Sequence, residues 1–407
     1  MGFFKKTIND VPLEGTTVLL RADYNVPLTE EGKVHDDFRI RASVPTVERL
    51  LKNGCKVVII SHLGRPQGRD PKLSLVPAAQ RLAELLDEPV RFIDQTVGEK
   101  VRMSVKRAPK RSVTVLENLR FHAEEEANNE AFARQLAHDS GARYFVQDGF
   151  GVVHRDHAST AAITLFLPSV AGLLLEREYQ SITTALRHPK RPLVAVMGGA
   201  KVSDKIQVID ELVERADRIL VGGAMANTFL AYRGVNVGRS KYEPGQENTI
   251  AAIYDAINKK GNAADTSEEV LLLPEDVAVA TTIDTAQKRI LRTIEDITAE
   301  DIILDIGDAT INRFVDIIQQ AGTVIWNGTL GYAELPEFSH GSARTALALA
   351  THPDVDSIIG GGDTADFVIH WDAQRGESFS HVSTGGGASL ELMAGEKLPG
   401  IEHLLDA

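Results

Sequence analysis

Short runs rich in valine, isoleucine and leucine recur through the whole chain, and they are continuous rather than alternating. In the first half they span residues 17–22, 56–61, 112–116 and 143–147. In the second half they span residues 193–197, 218–221, 270–273, 302–306, 323–326, 357–359 and 381–383. A strand covered on one face alternates apolar with polar, whereas one covered on both faces does not, so these runs read as strands of parallel sheets. Amphipathic segments such as 73–86 and 206–216 lie between them. The repeated strand–helix–strand pattern predicts an α/β fold with two doubly wound, Rossmann-like parallel-sheet domains.

The chain has 407 residues, more than one hydrophobic core usually serves. The expected division is a first domain over 1–170, a connecting helix within 171–188, a second domain over 189–380 and a C-terminal segment over 381–407. Pro168 precedes the boundary, residues 176–187 read as the helix, and Pro189 and Pro192 flank a new strand. A helix between two sheets is a stiff connector of the kind that accompanies hinge motion.

Several function classes are excluded on composition. The longest apolar candidate for a membrane helix, residues 161–175, is broken by Pro168. The N-terminus passes from Lys5-Lys6 into Thr7-Ile8-Asn9-Asp10 without the apolar core of a signal peptide. A single cysteine, Cys55, excludes an internal disulfide or a cysteine-cluster metal site, and the reading is a reducing, cytoplasmic compartment. The net charge of −13 opposes nucleic-acid binding, and no basic stretch interleaved with aromatics occurs. That charge is unevenly spread. Residues 1–170 carry 24 lysines and arginines against 22 acids, and the remainder 20 against 35. A first half so balanced has arginines to spare for an anion.

Ligands of open parallel sheets bind beyond the carboxyl ends of the strands. In the first half those ends carry Asp23-Tyr24-Asn25, Ser61-His62-Leu63-Gly64-Arg65, Glu117-Asn118-Leu119-Arg120 and Asp148-Gly149-Phe150-Gly151 followed by His154-Arg155. Arg39 stands at the start of a helix. A lone arginine in such a place is usually a solvated surface residue. Arg39, Arg65, Arg120 and Arg155, with His62, form a set whose paired planar donors suit phosphate or carboxylate.

In the second half four glycine-bearing turns follow strands: Gly198-Gly199, Gly222-Gly223, Gly360-Gly361-Gly362 and Gly385-Gly386-Gly387. Glycine lets backbone approach a phosphate closely, and a following helix start offers N–H groups to the anion. Lys201 and Lys205, four apart, are expected on one helix face toward a polyphosphate. Asp363 at a helix start suits either an N-cap or a contact to Mg²⁺. Neither a P-loop nor a dinucleotide fingerprint is present, and His154-Arg155-Asp156 lacks the companions of a protein-kinase catalytic loop.

The run Arg21-Ala22-Asp23-Tyr24-Asn25-Val26-Pro27-Leu28 resembles the opening signature of the phosphoglycerate kinase family. Residues 61–66, 117–122, 198–205, Trp326-Asn327-Gly328, 359–365 and 381–392 are similar to that family in the same order. The resemblance covers the whole chain. It implies two α/β domains joined by a hinge helix, with residues 399–407 returning to the first domain. It further implies that Asp23, Asn25, Arg39, His62, Arg65, Arg120 and Arg155 bind 3-phosphoglycerate. Lys201, Lys205, Asn327, Glu334, Asp363 and Thr364 would serve ATP or ADP, with Glu334 on the ribose and Asp363 on Mg²⁺. Gly360, Gly361 and Gly362, and Gly385, Gly386 and Gly387, would flank the phosphates, as would Gly198 and Gly199. A monomer is implied by resemblance alone. Five positions depart from the usual pattern: Thr329 and Asp308 replace proline, Gly149 replaces alanine, and Val152-Val153 replace Thr-Ala.

The reaction implied is phosphoryl transfer between 1,3-bisphosphoglycerate and ADP. Its reverse nucleophile is a carboxylate, already ionised, so no general base is required. Arg39, Lys205 and Lys201 are the expected catalytic cations. The competing reading is an inactive nucleotide-binding regulator of the same fold, whose mark would be loss of a key charged residue.

Overall fold

The computed structural model describes residues 3–260, 267–284 and 288–407. The chain divides into two compact units. One comprises residues 3–180 and 397–407, and the other the described residues of 181–396.

The first unit contains six parallel strands, β1 (Thr17–Arg21), β2 (Lys56–Ile60), β3 (Val90–Ile93), β4 (Ser112–Leu116), β5 (Tyr144–Gln147) and β6 (Ser169–Ala171), ordered 3-4-2-1-5-6. Successive residues point to opposite faces, and each face has its own core. Val18, Leu20, Val57 and Ile59 pack with Ile40, Val47 and Leu50 of helix Phe38–Lys52 and with Leu82 of helix Val76–Leu86. Leu19, Val58, Ile60 and Phe145 pack with Val101 of helix Glu99–Arg107 and with Phe132 and Leu136 of helix Glu130–Ser140. Burial on both faces explains the unbroken apolar runs. β3 and β6 escape the sequence reading because they are short edge strands, and β3 is half-exposed.

The second unit has six parallel strands, β7 (Leu193–Met197), β8 (Arg218–Val221), β9 (Leu271–Leu272), β13 (Thr323–Asn327), β14 (Asp356–Gly360) and β15 (His381–Val382), ordered 15-14-13-7-8-9. A separate antiparallel sheet, ordered 11-10-12, holds β10 (Asp276–Ala280), β11 (Ile290–Thr293) and β12 (Ile302–Ile306). The run at 302–306 was expected in the parallel sheet. Its hydrogen bonds go instead to β10 in the opposite sense, a pairing that an apolar run by itself does not encode.

β15 pairs with β14, so residues 381–396 belong to the second unit and the division falls at Glu396 rather than at 381. Residues 397–407 join the N-terminus of the first unit. Lys6 N donates to Leu405 O at 2.7 Å, and buried Lys5 Nζ reaches Glu402 O at 2.8 Å, Leu404 O at 3.0 Å and Asp406 Oδ1 at 2.7 Å. Helix Leu173–Arg187 carries the chain across the division at Gln180–Ser181 and starts three residues earlier than its sequence pattern suggests. Asp148 accounts for that start, accepting from Leu174 N at 3.0 Å. An acceptor there satisfies an unpaired N–H group of the first turn. No helix among the described residues is long and apolar enough to cross a membrane.

Candidate active site

In the first unit, strand order reverses around β1, whose neighbours are β2 on one side and β5 on the other. That switch point is where open α/β sheets bind ligands. The loops after β1, β2, β4 and β5 meet there and are fixed by side chains. Asn25 Oδ1 accepts from Gly64 N at 2.9 Å. Buried Asn118 donates to Leu63 O and Leu73 O, each at 2.8 Å. Glu117 takes Leu75 N and Ser74 Oγ at the start of helix Val76–Leu86. Much of the 117–122 motif therefore holds loops rather than facing a ligand.

The cations converge on this frame. Arg39, at the start of its helix, binds Asp23 Oδ2 at 2.9 Å and Asn25 O at 3.3 Å. Arg120 donates to Gly64 O at 2.6 Å and pairs with Glu126 at 3.1 Å. Arg155 Nε donates to His154 Nε2 at 3.1 Å. Arg65 is exposed, and its positive field adds to burial and to that of Arg155 in lowering the Arg120 pKa. Buried His62 lies among them. Burial, then the fields of Arg21, Arg120, Arg155 and Arg39, hold its imidazole well below the usual range. Burial and the same kind of field push His154 and His157 down to about 4. A cluster of arginines around histidines that stay neutral at pH 7 has the charge to hold an anion. Arg21, quoted in the sequence but left out of the predicted site, is a member. No local signal marks it, because its role follows from burial.

In the second unit the order reverses at β7, between β8 and β13. The turns after β7 and β13 interlock: Gly198 N donates to Asn327 O at 2.9 Å, and Gly199 N to Thr329 O at 3.0 Å. A side chain on Gly198 would run into the Gly328 carbonyl oxygen, 2.7 Å from its Cβ. Thr329 thus contributes its carbonyl to the turn, and these backbone bonds hold it where proline is usual. Thr364 Oγ1 accepts from Gly328 N at 2.6 Å, tying helix Gly362–Trp371 to the same turn.

Lys205 donates to Gly198 O at 2.6 Å and Asn327 O at 3.1 Å. Burial lowers its pKa to about 8 against the opposing fields of Asp363 and Asp204. Lys201 does not share a helix face with it. Lys201 is exposed in the loop after Gly199, and helix Ile206–Arg215 begins only past Lys205. Asp363 stands exposed in the first turn of its helix, whose cap is Gly361, so the cap reading of Asp363 fails. Asn327 is buried, with Nδ2 unpartnered. Gly360 is buried and Gly385 takes Ser383 Oγ through its N–H, while Gly386 and Gly387 open the short helix Gly387–Met393.

A cavity of about 440 Å³ opens beside these turns. Gly199, Gly223, Thr329, Glu334 and Asp363 line it, and so do Asn227, Lys241, Leu304 and Tyr332, which sequence reasoning missed. These come from four separate segments, and no motif joins them. Among the described residues no group of three metal-ligating side chains occurs.

The phosphoglycerate kinase family model matches residues 8–396. The chain belongs to the phosphoglycerate kinase family. It is 44% identical over 398 residues to the phosphoglycerate kinase of Thermosynechococcus vestitus, covering 97% of each chain. Identity to that of Chlorobium phaeobacteroides is 42% over 406 residues, covering 99% of this chain and 100% of the other. Among solved structures, phosphoglycerate kinase from Coxiella burnetii is similar with a TM-score of 0.83 at 33% identity, covering 98% of both chains. That from Pyrococcus horikoshii has a TM-score of 0.83 at 30% identity and the same coverage. The chain is therefore a kinase.

Proposed function

We propose that this kinase catalyses reversible, Mg²⁺-dependent phosphoryl transfer between 1,3-bisphosphoglycerate and ADP, giving 3-phosphoglycerate and ATP. The supporting observation is the pairing of chemistries at the two switch points, arginines with neutral histidines in one unit and interlocked glycine turns with Lys205 in the other. Asp23, Asn25, Arg39, His62, Arg65, Arg120 and Arg155 take 3-phosphoglycerate. Lys201, Lys205, Asn327, Glu334, Gly360, Gly361, Gly362, Asp363 and Thr364 take the nucleotide, and Gly198, Gly199, Gly385, Gly386 and Gly387 border its phosphates.

The acceptor carboxylate is ionised at neutral pH, so the protein moves no proton. Its work is positioning and neutralisation of charge on the migrating group, led by Arg39 and Lys205 with Lys201 assisting. Asp363 fits a nucleotide-borne Mg²⁺, which favours one carboxylate plus phosphate oxygens, and its field already reaches Lys205. When bound, such an ion would supply positive charge to neutralise the phosphates. Transfer is direct, so the half-sites must meet during turnover. Hinging about helix Leu173–Arg187 is the motion assigned to that step, and it keeps water from the acyl phosphate. The enzyme acts as a cytoplasmic monomer in glycolysis and binds neither nucleic acid nor membrane.

The test is ATP-dependent acyl-phosphate formation from 3-phosphoglycerate, coupled to reductive dephosphorylation. Arg39→Ala and Lys205→Ala are each expected to lower turnover by about two to three powers of ten. Near-normal turnover in Arg39→Ala would remove that residue from the mechanism.

A further inference from the structure

Arg21 sits behind His62 and determines what that ring offers to a ligand. It ends β1 and is 1% exposed. Its Nε donates to Ser159 Oγ at 2.8 Å, one terminal nitrogen donates to Ala22 O at 2.5 Å, and the other lies 3.2 Å from His62 Nδ1. Ser159 Oγ in turn donates to Glu125 Oε1 at 2.5 Å, while Glu125 Oε2 accepts from Ser159 N at 3.1 Å. Glu125 and Ser159 are fully buried. Acid, hydroxyl and guanidinium thus form one chain in which every donor has a fixed direction.

A guanidinium carries only donors and stays charged in proteins, so its contact with Nδ1 has one sense: Arg21 donates and Nδ1 accepts. A neutral ring with that lone pair engaged must carry its proton on Nε2. No protein group among the described residues takes the Nε2 hydrogen.

We propose that Arg21, Ser159 and Glu125 are positioning residues that hold His62 as the neutral Nε2–H tautomer, giving the anion half-site an uncharged, directional donor among its arginines. The inference rests on the reading of this half-site as the phosphoglycerate site. The charged groups facing His62 are Arg21 from β1, Arg39 from helix Phe38–Lys52, Arg120 from the turn Leu119–Phe121 and Arg155 from the loop after β5. A protonated ring would add a fifth cation to these four. Arg21 is held off the ligand by its bonds to Ser159 and Ala22, and so acts through the histidine.

The ¹⁵N resonances of the His62 ring, followed in the substrate-free protein from pH 5 to 8, test this without recourse to activity. Nδ1 is expected to resonate as an unprotonated nitrogen and Nε2 as a protonated one throughout. An Nδ1–H ring, or an imidazolium forming near pH 6.5, overturns the proposal. Ser159→Ala keeps Arg21 and its charge but frees its orientation. This variant is expected to mix the two tautomers and raise KM for 3-phosphoglycerate about fivefold to tenfold, with KM for ATP unchanged. Ser159→Thr, which retains the hydroxyl, is expected to restore both. A raised KM in Ser159→Ala with the Nε2–H tautomer intact overturns the positioning role. The wild-type spectrum stands whether or not the variants fold. If the tautomer is as stated and the wild type does not convert 3-phosphoglycerate, the positioning holds and the phosphoglycerate reading fails.

Discussion

The ammonium of Lys205 lies 2.6 Å from the carbonyl oxygen of Gly198, the first residue after β7. The bond holds the lysine against the turn and leaves a cation in a dry place. Burial depresses its pKa to about 8, from an ordinary value of 10.5. In the free enzyme kcat/KM for ATP is therefore expected to fall on the alkaline side with an apparent pKa near 8. Polyphosphate raises the lysine's pKa once bound, so the limb in kcat sits at higher pH. Lys205→Arg should abolish the limb in kcat/KM. A wild-type profile flat to pH 9.5 would contradict the assignment.

Two buried carboxyls shape the pH dependence of stability. Burial pushes Asp148, in the first unit, and Asp305, in the second, up to about 7. Because their folded values exceed the unfolded ones, the native state binds more protons than the unfolded state between about pH 4 and 7. Stability is then present below that window and lost as pH rises through it, by at most ~1.4 kcal/mol per pH unit for each group. In the first unit the lowered His62, His154 and His157 act in the opposite sense below about pH 6.5, because there the unfolded state binds more protons at those rings. Urea denaturation from pH 5 to 8 is expected to show the decline in the second unit, and Asp305→Asn should flatten it. In the first unit Asp148→Asn should steepen the rise of stability with pH.

Asp23 orients Arg39 through a 2.9 Å ion pair that leaves the arginine 28% exposed. Asp23 itself is buried and also accepts from Asn25 N at 3.1 Å. Asp23→Ala is expected to cost about 1–3 kcal/mol of stability while raising KM for 3-phosphoglycerate about tenfold, KM for ATP being unaffected. Equal changes in both KM values would show a general structural defect instead.

Gly361 and Gly362 separate backbone geometry from ligand contact. Gly361 has φ of +87°, and a Cβ there would lie 3.0 Å from Asn327 Nδ2. Gly361→Ala is expected to cost about 1–2 kcal/mol and to weaken ATP binding more than tenfold. At Gly362 a Cβ meets nothing within 4 Å. Gly362→Ala should fold as the wild type does, so weaker ATP binding by calorimetry there would report phosphate packed directly against that backbone.

Lys5, 6% exposed, has its carbonyl acceptors at Glu402 and Leu404 and its carboxylate partner at Asp406. Deleting residues 402–407 strands a buried charge, for which a loss of about 3–5 kcal/mol in the first unit's stability is expected. Lys5→Met combined with the deletion should recover part of it.

Local patterning carried the fold class a long way. Runs without alternation marked most strands, because burial on both faces removes the need for polar residues. Helix spacing found residues 206–216 within one position of helix Ile206–Arg215. Arg120, Arg155 and His62 stood out because strand ends are where a parallel sheet places its ligands, and Arg39 because it opens a helix. The antiparallel sheet did not stand out, since β12 is as apolar as its parallel counterparts and pairing sense is a property of the partner strand. Lys201 and Lys205 looked like one helix face, but Lys201 lies in the loop before the short 3-10 turn Ser203–Lys205, and the α-helix starts only at Ile206.

The sequence by itself determined which residue types end each strand, because periodicity and turn chemistry act over a few residues. Tertiary structure decided which ends are neighbours. It placed Arg21, at the end of β1, behind His62 at the end of β2, and linked it through Ser159 to Glu125, more than a hundred residues away. It gathered Asn227, Lys241, Leu304 and Tyr332 around one cavity, and bound residues 397–407 to the N-terminus. Those arrangements rest on strand order and on the burial of charged groups that need partners, and neither is written in any local stretch of the chain.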